Sequence, residues 1–250
     1  MKTLPKKKII EALKDQQNIF GDYLFEEKLP EVNAKYDEIP EVIEVILEPV
    51  DETVNLFQSE EIWQNAKTLD ELNRLIKDCT NCLLHKNRTN FVFGSGNPNA
   101  KVMVIGEGPG AEEDKQGLPF VGRAGQLLTD ILKAIKFERD EVYIANIVKC
   151  RPPENRTPLP EEMETCIPYL KKQIALIKPK MILCLGLTAA KGLLRKKESL
   201  TALRGKFFDY EGIKVMVTFH PAALLRNPNW KRDCWEDVKK FRKMYDETVK

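Results

Sequence analysis

No apolar run in this 250-residue chain approaches the roughly 20 residues that a membrane-spanning helix needs. The N-terminus, MKTLPKKKIIEALKDQQ, places charged residues directly after a very short apolar stretch, which is not the pattern of a secretory signal. We therefore expect a soluble protein that does not associate with membranes. The cytoplasm is the expected compartment.

Cysteine and histidine are scarce, with six and two residues respectively. Six unevenly spaced cysteines are too few for a disulfide scaffold in a chain of this length. They indicate a reducing compartment, in which thiols bind a metal or pack in the core.

The charges nearly cancel overall, with 40 basic and 38 acidic residues, but they are unevenly distributed. Residues 24–60 hold 11 acidic and 2 basic residues, whereas residues 61–250 carry an excess of nine positive charges. A basic body suits a polyanionic partner, although ordinary lysine-rich solubility would give the same balance. The composition also predicts the domain organisation: residues 1–60 form an extension with an acidic, flexible linker, and residues 61–250 form the folded domain.

Four apolar, β-branched segments in the body read as strands, beginning near residues 101, 141, 180 and 214. Helical patterns lie between them, so we expect a mostly parallel sheet with helices on both faces. A helix over residues 230–245 closes the chain. Pro168 removes a backbone donor from the second connecting helix, which predicts a kink or break near Cys166.

A glycine-rich loop, GEGPGA, follows the first strand and matches the dinucleotide-binding fingerprint by its letters. We reject that interpretation because Pro109 lies inside the turn, three acidic residues follow it, and the next helix is expected only at about Arg123. A phosphate would meet carboxylates before any helix N-terminus. The glycines instead indicate a close approach of the backbone to a flat ligand.

Four of the cysteines form two local pairs, Cys79 with Cys82 and Cys150 with Cys166. Four thiolates are the ligand set of a zinc site or of an iron–sulfur cluster, and the spacing alone does not choose between them. Four unrelated core cysteines are the alternative. The other two cysteines, one in an apolar strand and one near the start of a helix, are predicted to pack in the core.

Three further side chains are expected at the carboxyl edge of the sheet, where ligands bind in such folds. Asn146 ends the second strand, His220 follows the fourth, and Phe120 lies between a proline and a glycine before a helix. Core packing would explain Phe120 and a structural role would explain a lone histidine. Their shared edge favours a site in which Phe120 stacks on a base.

Three motifs, GEGPGAEEDKQGLPFVGRAGQLL, YIANIVKCRPPENRTPLPEE and HPAALLRNP, together with the four cysteines, resemble the family 4 (iron–sulfur) uracil-DNA glycosylases. The resemblance covers roughly residues 70–245. It implies a three-layer α/β/α fold with a central four-stranded, mostly parallel sheet. It also implies a monofunctional base-excision repair enzyme that hydrolyses the bond between uracil and deoxyribose in DNA.

The resemblance also assigns roles to individual positions. Phe120 would stack on the extruded uracil, Asn146 would read its Watson–Crick edge, and His220 would partner its O2 oxygen. Gly106, Glu107 and Gly108 would line the pocket. Leu224, Leu225 and Arg226 would lie in the loop that enters DNA. A four-iron four-sulfur (4Fe-4S) cluster would be bound by Cys79, Cys82, Cys150 and Cys166.

The sequence departs from related branches at two points. Gly108 stands where other superfamily members have a water-orienting aspartate, so Glu107 or Glu113 at most positions the water. Residues 146–160 contain no histidine of the kind with which a crosslinking branch traps DNA, so we expect turnover, with Asn155 contacting the pocket. The expected partner is single- or double-stranded uracil-containing DNA, and the expected state is a monomer.

The segment ETVNLF at residues 52–57 resembles the short peptides by which bacterial repair proteins dock on the sliding clamp, with Thr53 in place of the usual glutamine. A pair of apolar residues that pins the linker to the body is the alternative. Two other functions remain open from the sequence: an electron-transfer protein that uses the same cysteines, and a zinc-stabilised nucleic-acid-binding module.

Overall fold

The computed structural model describes residues 62–249 of the chain. The acidic linker, the 52–57 motif and the predicted domain boundary at residue 60 lie outside these residues. The described residues form one mixed sheet with helices on both faces.

Six strands form the sheet in the order β1-β3-β2-β4-β6-β5. In chain order the strands are β1 (Ser95–Gly96), β2 (Val102–Gly106), β3 (Tyr143–Asn146), β4 (Met181–Leu185), β5 (Phe207–Tyr210) and β6 (Ile213–Thr218). The four central strands pair in parallel and are the four predicted from the sequence. The antiparallel edge strands β1 and β5 were not predicted, because one is two residues long and the other is only partly buried.

Eight α-helices lie within the described residues: α1 (Leu69–Ile76), α2 (Ala111–Gln116), α3 (Arg123–Ala134), α4 (Pro160–Ile177), α5 (Gly186–Leu194), α6 (Leu200–Leu203), α7 (Pro221–Arg226) and α8 (Lys231–Thr248). One face of the sheet buries apolar residues of α1, α4 and α5, and the other buries those of α3, α7 and α8. The fold is therefore a three-layer α/β/α sandwich, as predicted. No helix within residues 62–249 is long and apolar enough to cross a membrane.

Helix α2 corrects the prediction that no helix begins before Arg123. It starts at Ala111, directly after the glycine motif, and ends at Gly117 with φ of 71°. The acidic residues after the glycine motif stabilise this helix, because carboxylates in the first turn interact favourably with the helix dipole. The Glu113 carboxylate also caps α2 by accepting a hydrogen bond from the Gly110 N–H at 3.1 Å.

Helix α4 corrects the predicted break near Cys166. It runs without interruption from Pro160 to Ile177, with Pro168 inside it. A proline removes one backbone donor, but the neighbouring Ile167, Leu170 and Ile174 are buried against the sheet. Tertiary packing of this face therefore overrides the local preference of the proline.

Candidate active site

A cavity of about 440 Å³ lies at the carboxyl edge of the parallel strands. Its walls contain eight residues that the sequence analysis singled out: Glu107, Gly108, Glu113, Phe120, Asn146, Asn155, His220 and Arg226. They converge because β2 ends at Gly106, β3 ends at Asn146, and His220 follows β6 by two residues. In the parallel register Gly106 pairs with Asn146, so the start of the first motif lies beside the asparagine of the second.

Gly106 makes room for the two side chains that close the inner end of this cavity. A Cβ at residue 106 would lie 2.5 Å from Asn146 Oδ1 and 2.6 Å from Phe120 Cζ. Only glycine leaves space for both groups. Asn146 is 1% exposed, and its Oδ1 is buried without a hydrogen-bond partner in the described part of the chain. A buried unpaired acceptor is costly unless a ligand supplies the donor.

The Phe120 ring is held by an unusual backbone conformation. Its φ of 53° is in the left-handed region, which is uncommon for residues other than glycine. A Cβ at Gly125 would collide with the Phe120 carbonyl, and the Arg139 guanidinium donates to the Pro119 carbonyl at 2.7 Å. The ring is 7% exposed, and its centroid lies 5.5 Å from that of the His220 ring. Such local strain is typical of ligand sites.

His220 caps the N-terminus of α7. Its Nδ1 accepts a hydrogen bond from the Ala222 N–H at 3.2 Å. Burial lowers the pKa of the imidazole to about 4, and the positive charge of Arg226 contributes to the shift. The ring is therefore neutral at neutral pH. Since Nδ1 is the acceptor, Nε2 carries the proton and is the available donor.

The two candidate carboxylates differ in how many of their oxygens are already bonded. Glu113 Oε1 accepts from the N–H groups of Val121 and Gly122, both at 2.9 Å, and its Oε2 accepts from Gly110. Glu107 Oε2 accepts from the Thr188 hydroxyl at 2.5 Å, and within residues 62–249 no donor reaches Glu107 Oε1. Glu113 thus holds the loop next to Phe120, whereas Glu107 keeps one oxygen without a donor from the described residues.

The loop after β3 forms a further wall of the cavity. Asn155 lines it, has φ of 56°, and accepts a hydrogen bond from Arg151 Nε at 2.8 Å. Arg156 also lines the cavity and binds Glu162 through two hydrogen bonds of 2.8 and 2.7 Å. This bidentate contact lowers the pKa of Glu162 and fixes the loop to α4. Sequence reasoning missed Arg156, although it lies in the same motif as Asn155.

Lys149 is a second residue whose position the sequence did not indicate. Its side chain is completely buried and donates to the Asn146 carbonyl at 3.0 Å and to Gln173 Oε1 at 2.6 Å. Burial lowers the pKa of its ammonium group to about 8. The backbone of Asn146 is therefore anchored to α4.

The predicted DNA-entering loop divides into buried and exposed parts. Leu224 is 1% exposed and packs in the core, so it is not available to enter DNA. Leu225 is 37% exposed, and Arg226 lies on the cavity wall. The exposed apolar residue of this loop is therefore Leu225 and not Leu224, because successive side chains of a helix such as α7 point in different directions.

The four paired cysteines lie near one another in the fold, and all four are free thiols without a disulfide. Arg88 donates to the Cys79 carbonyl at 2.7 Å and to Cys150 Sγ at 3.1 Å. Burial raises the pKa of Cys150, and the thiols of Cys82 and Cys79 raise it further. Burial likewise raises the pKa of Cys166 to about 12, with smaller contributions from Cys150 and Cys82.

The four paired cysteines come from separate segments of the chain. Cys79 and Cys82 lie between α1 and the short helix Leu83–Asn87, Cys150 follows β3, and Cys166 is on α4. Within residues 62–249, no three Cys, His, Asp or Glu side chains gather closely enough to hold a single metal ion. The two cysteines expected to pack, Cys184 and Cys234, are buried in the apolar core.

A family model and individual relatives identify the same kind of protein. A family model described as the uracil DNA glycosylase superfamily matches residues 93–239. Over 183 residues the chain is 46% identical to the type-4 uracil-DNA glycosylase of Pyrobaculum aerophilum, covering 69% of this chain and 92% of the relative. It is 47% identical to the type-4 enzyme of Thermotoga maritima, again over 183 residues, covering 72% and 95% of the two chains.

A more distant branch is also similar. The type-5 uracil-DNA glycosylase of P. aerophilum is 32% identical over 146 residues, which cover 52% of this chain and 64% of the relative. Identity is thus higher to the type-4 proteins, and it extends over nearly their full length. The chain belongs to the uracil DNA glycosylase superfamily, in its type-4 branch.

Proposed function

We propose that this protein excises uracil from DNA by hydrolysing the bond between uracil N1 and deoxyribose C1′, leaving an abasic site for base excision repair. The observation that carries the proposal is the convergence of Phe120, Asn146 and His220 on one cavity of about 440 Å³. Asn146 brings an unpaired acceptor to this cavity, and His220 brings a proton-bearing Nε2.

Asn146 supplies the base preference. Its Oδ1 accepts a hydrogen bond from uracil N3–H, and its amide nitrogen donates to O4. Cytosine presents an amino donor and an unprotonated N3 at the same positions, so both contacts would be mismatched. A mismatch in a buried site leaves polar groups unpaired and is costly. The burial of Asn146 Oδ1 and the anchoring of its backbone by Lys149 support this role.

His220 stabilises the departing base. As the C1′–N1 bond breaks, its electron pair leaves on uracil, and negative charge gathers on the ring, including O2. A neutral Nε2–H fixed beside O2 interacts more strongly with the anion than with the bound substrate, which lowers the barrier. Helix α7 fixes the ring in this tautomer through the hydrogen bond from Ala222 to Nδ1.

Water completes the reaction. A lone pair on the water oxygen forms the new bond to C1′, the water gives up a proton, and the uracil anion later takes up a proton from solvent. Glu107 is the residue we assign to position this water, because one of its oxygens has no protein donor. Glu113 supports the Phe120 loop instead, since both of its oxygens accept from backbone N–H groups.

DNA binding would use the basic body and the loop around α7. Extruding a base from a duplex costs a few kcal/mol, which backbone contacts and an apolar wedge offset. Leu225 is the exposed apolar residue next to the cavity, and Arg226 provides a positive charge on its wall.

We further propose that Cys79, Cys82, Cys150 and Cys166 hold a four-iron four-sulfur cluster. The donor set fits this group: four thiols come together from three segments, and Arg88 and Tyr169 donate hydrogen bonds to two of the sulfurs, as suits thiolate ligands. When bound, the cluster would tie these three segments together.

Iron and sulfide analysis of the purified protein tests the cluster. We expect Cys150→Ala to lose iron and visible absorption and Cys184→Ala, the matched control in the core, to keep both. Equal metal content in the two variants would refute the ligand assignment.

The remaining proposals concern the whole chain. Residues 61–250 form the catalytic domain, the protein acts as a cytoplasmic monomer, and residues 52–57 dock on a sliding clamp. Replacement of Leu56 and Phe57 by alanine should weaken clamp binding without changing uracil excision, and unchanged clamp affinity would remove the docking proposal.

The decisive experiment incubates the purified protein with an oligonucleotide that contains one uracil, followed by alkaline cleavage of abasic sites. Thymine, hypoxanthine and cytosine oligonucleotides are the substrate controls. We expect cleavage at uracil, loss of cleavage in Asn146→Ala, and normal cleavage in Asn99→Ala, an exposed asparagine away from the cavity. Absence of cleavage by the wild-type protein would refute the proposed function.

A further inference from the structure

Thr188 lies behind the cavity and contacts one of its wall residues. It is in the first turn of α5, is 9% exposed, and donates a hydrogen bond from its hydroxyl to Glu107 Oε2 at 2.5 Å. The two residues are 81 positions apart in the chain. The short distance is typical of a hydroxyl that donates to an ionised carboxylate.

This contact determines which part of Glu107 remains available. Glu107 lines the cavity, and its Oε1 accepts no hydrogen bond from the described part of the chain. With Oε2 held by Thr188, the carboxylate cannot rotate freely, so Oε1 keeps a fixed position. By contrast, both oxygens of Glu113 already accept hydrogen bonds from backbone N–H groups.

We propose that Thr188 is a positioning residue for uracil excision, which holds the Glu107 carboxylate so that Oε1 orients the attacking water. The proposal rests on the function proposed above. Thr188 itself touches neither the base nor the water. It acts through Glu107.

The position of Thr188 suits this task. Helix α5 begins at Gly186 directly after β4, and no side chain caps its N-terminus. A carboxylate next to the first turn of a helix interacts favourably with the positive end of the helix dipole. The Glu107 carboxylate is thus held in place by the hydroxyl and by the helix terminus, and both belong to helix α5.

Accurate placement of water matters because misplacing a reacting group by about 1 Å can cost roughly 100-fold in rate. In this reaction a lone pair of the water oxygen forms the C1′–O bond, and the electron pair of the breaking C1′–N1 bond leaves on uracil. The water proton passes to solvent. Thr188 keeps its own proton throughout.

The test compares five variants of the full chain, four single and one double, in single-turnover excision of uracil at saturating enzyme. Thr188→Val removes the hydroxyl at nearly constant volume, and Thr188→Ser keeps it. Glu107→Gln removes the carboxylate. Thr218→Val is the matched control, because Thr218 is a buried threonine that donates to the carboxylate of Asp237 at 2.8 Å, away from the cavity wall.

We expect Thr188→Val to lower the single-turnover rate constant by about 10- to 100-fold, with little change in the enzyme concentration that gives half the maximal rate. Thr188→Ser should restore most of the rate. The double variant Thr188→Val with Glu107→Gln should be no slower than Glu107→Gln alone, because both changes remove the same function. Thr218→Val should lower the melting temperature and leave the rate unchanged.

Three results would overturn the proposal. One is a wild-type rate in Thr188→Val, in an assay in which Glu107→Gln is slower than the wild-type chain. Another is an equal loss in Thr188→Val and Thr188→Ser, which would indicate a packing effect. A third is additive losses in the double variant. Failure of the proposed function is distinguished from these, since in that case the wild-type chain itself would not release uracil.

Discussion

The Ala222 N–H donates to Nδ1 of His220 across 3.2 Å, and this one contact decides which nitrogen of the imidazole can donate to the base. The pKa of the ring is about 4, so the ring stays neutral as the pH is lowered from 8 to about 5. We expect the single-turnover excision rate to show no titration near pH 6.5. A rate that rises as the pH falls through 6.5 would contradict a neutral donor.

The same shift predicts a pH dependence of stability. The folded chain binds the His220 proton only near pH 4, whereas the unfolded chain binds it near the usual pKa of 6.5. The contribution of His220 is therefore fully present above pH 6.5 and is lost as the pH falls from 6.5 to 4. Melting temperatures of the wild type and of His220→Asn, measured over this range, should converge as the pH decreases.

Replacing Gly106 by alanine should block the cavity. The new Cβ would lie 2.5 Å from Asn146 Oδ1 and 2.6 Å from Phe120 Cζ, so one of these groups must move. We expect the excision rate to fall by about 100-fold. Gly212→Ala is the control, because a Cβ there meets no atom within 4 Å. Its φ of 82° makes the substitution cost about 1 kcal/mol of stability, while the excision rate should not change.

Replacing Glu113 by alanine should loosen the loop that carries Phe120. Three backbone N–H groups, those of Gly110, Val121 and Gly122, would lose their acceptor. We expect a loss of about 1–3 kcal/mol in the free energy of unfolding, measured by denaturant titration, together with slower excision. The exposed neighbour Glu112 provides the control: Glu112→Ala removes only a helix-dipole interaction of about 0.3–1 kcal/mol and should leave the excision rate unchanged. A Glu113→Ala protein with normal stability would show that the loop does not depend on this carboxylate.

The two leucines of α7 should respond differently to truncation. Leu224→Ala creates a cavity in the core and should cost about 2–5 kcal/mol of stability. Leu225→Ala, at an exposed position, should leave stability within about 0.5 kcal/mol. Excision by Leu225→Ala should fall by about tenfold on duplex DNA and much less on single-stranded DNA, because only the duplex needs a wedge. Equal losses on the two substrates would remove the wedge role.

The sequence predicted the four parallel strands and the edge of the sheet at which Phe120, Asn146 and His220 lie, because these depend on local patterns. Patterns of this kind do not show which side chains meet across the fold. The contact between Thr188 and Glu107 joins segments 81 residues apart, and neither residue has a local signal for it. The burial of Leu224 depends on the direction in which α7 packs, which the motif letters do not specify.

The errors in the helices have a common cause. The acidic residues after the glycine motif do not delay the helix to Arg123, because Glu113 caps a helix that begins at Ala111. Pro168 predicts a kink or break, but α4 continues through it because its apolar face packs along its length. In both places a tertiary or capping contact outweighs the intrinsic preference of the residue.

Helix α2 carries two adjacent carboxylates that bind different loops. Glu113 accepts from the N–H groups of Val121 and Gly122, and Asp114 accepts from those of Thr89 and Asn90 at 2.9 and 3.3 Å. A six-residue helix has little stability of its own, so its unfolding would release both loops at once. The amide protons of these four residues should therefore exchange with deuterium as one cooperative unit, which makes the loop near the cysteines and the loop beside Phe120 open together.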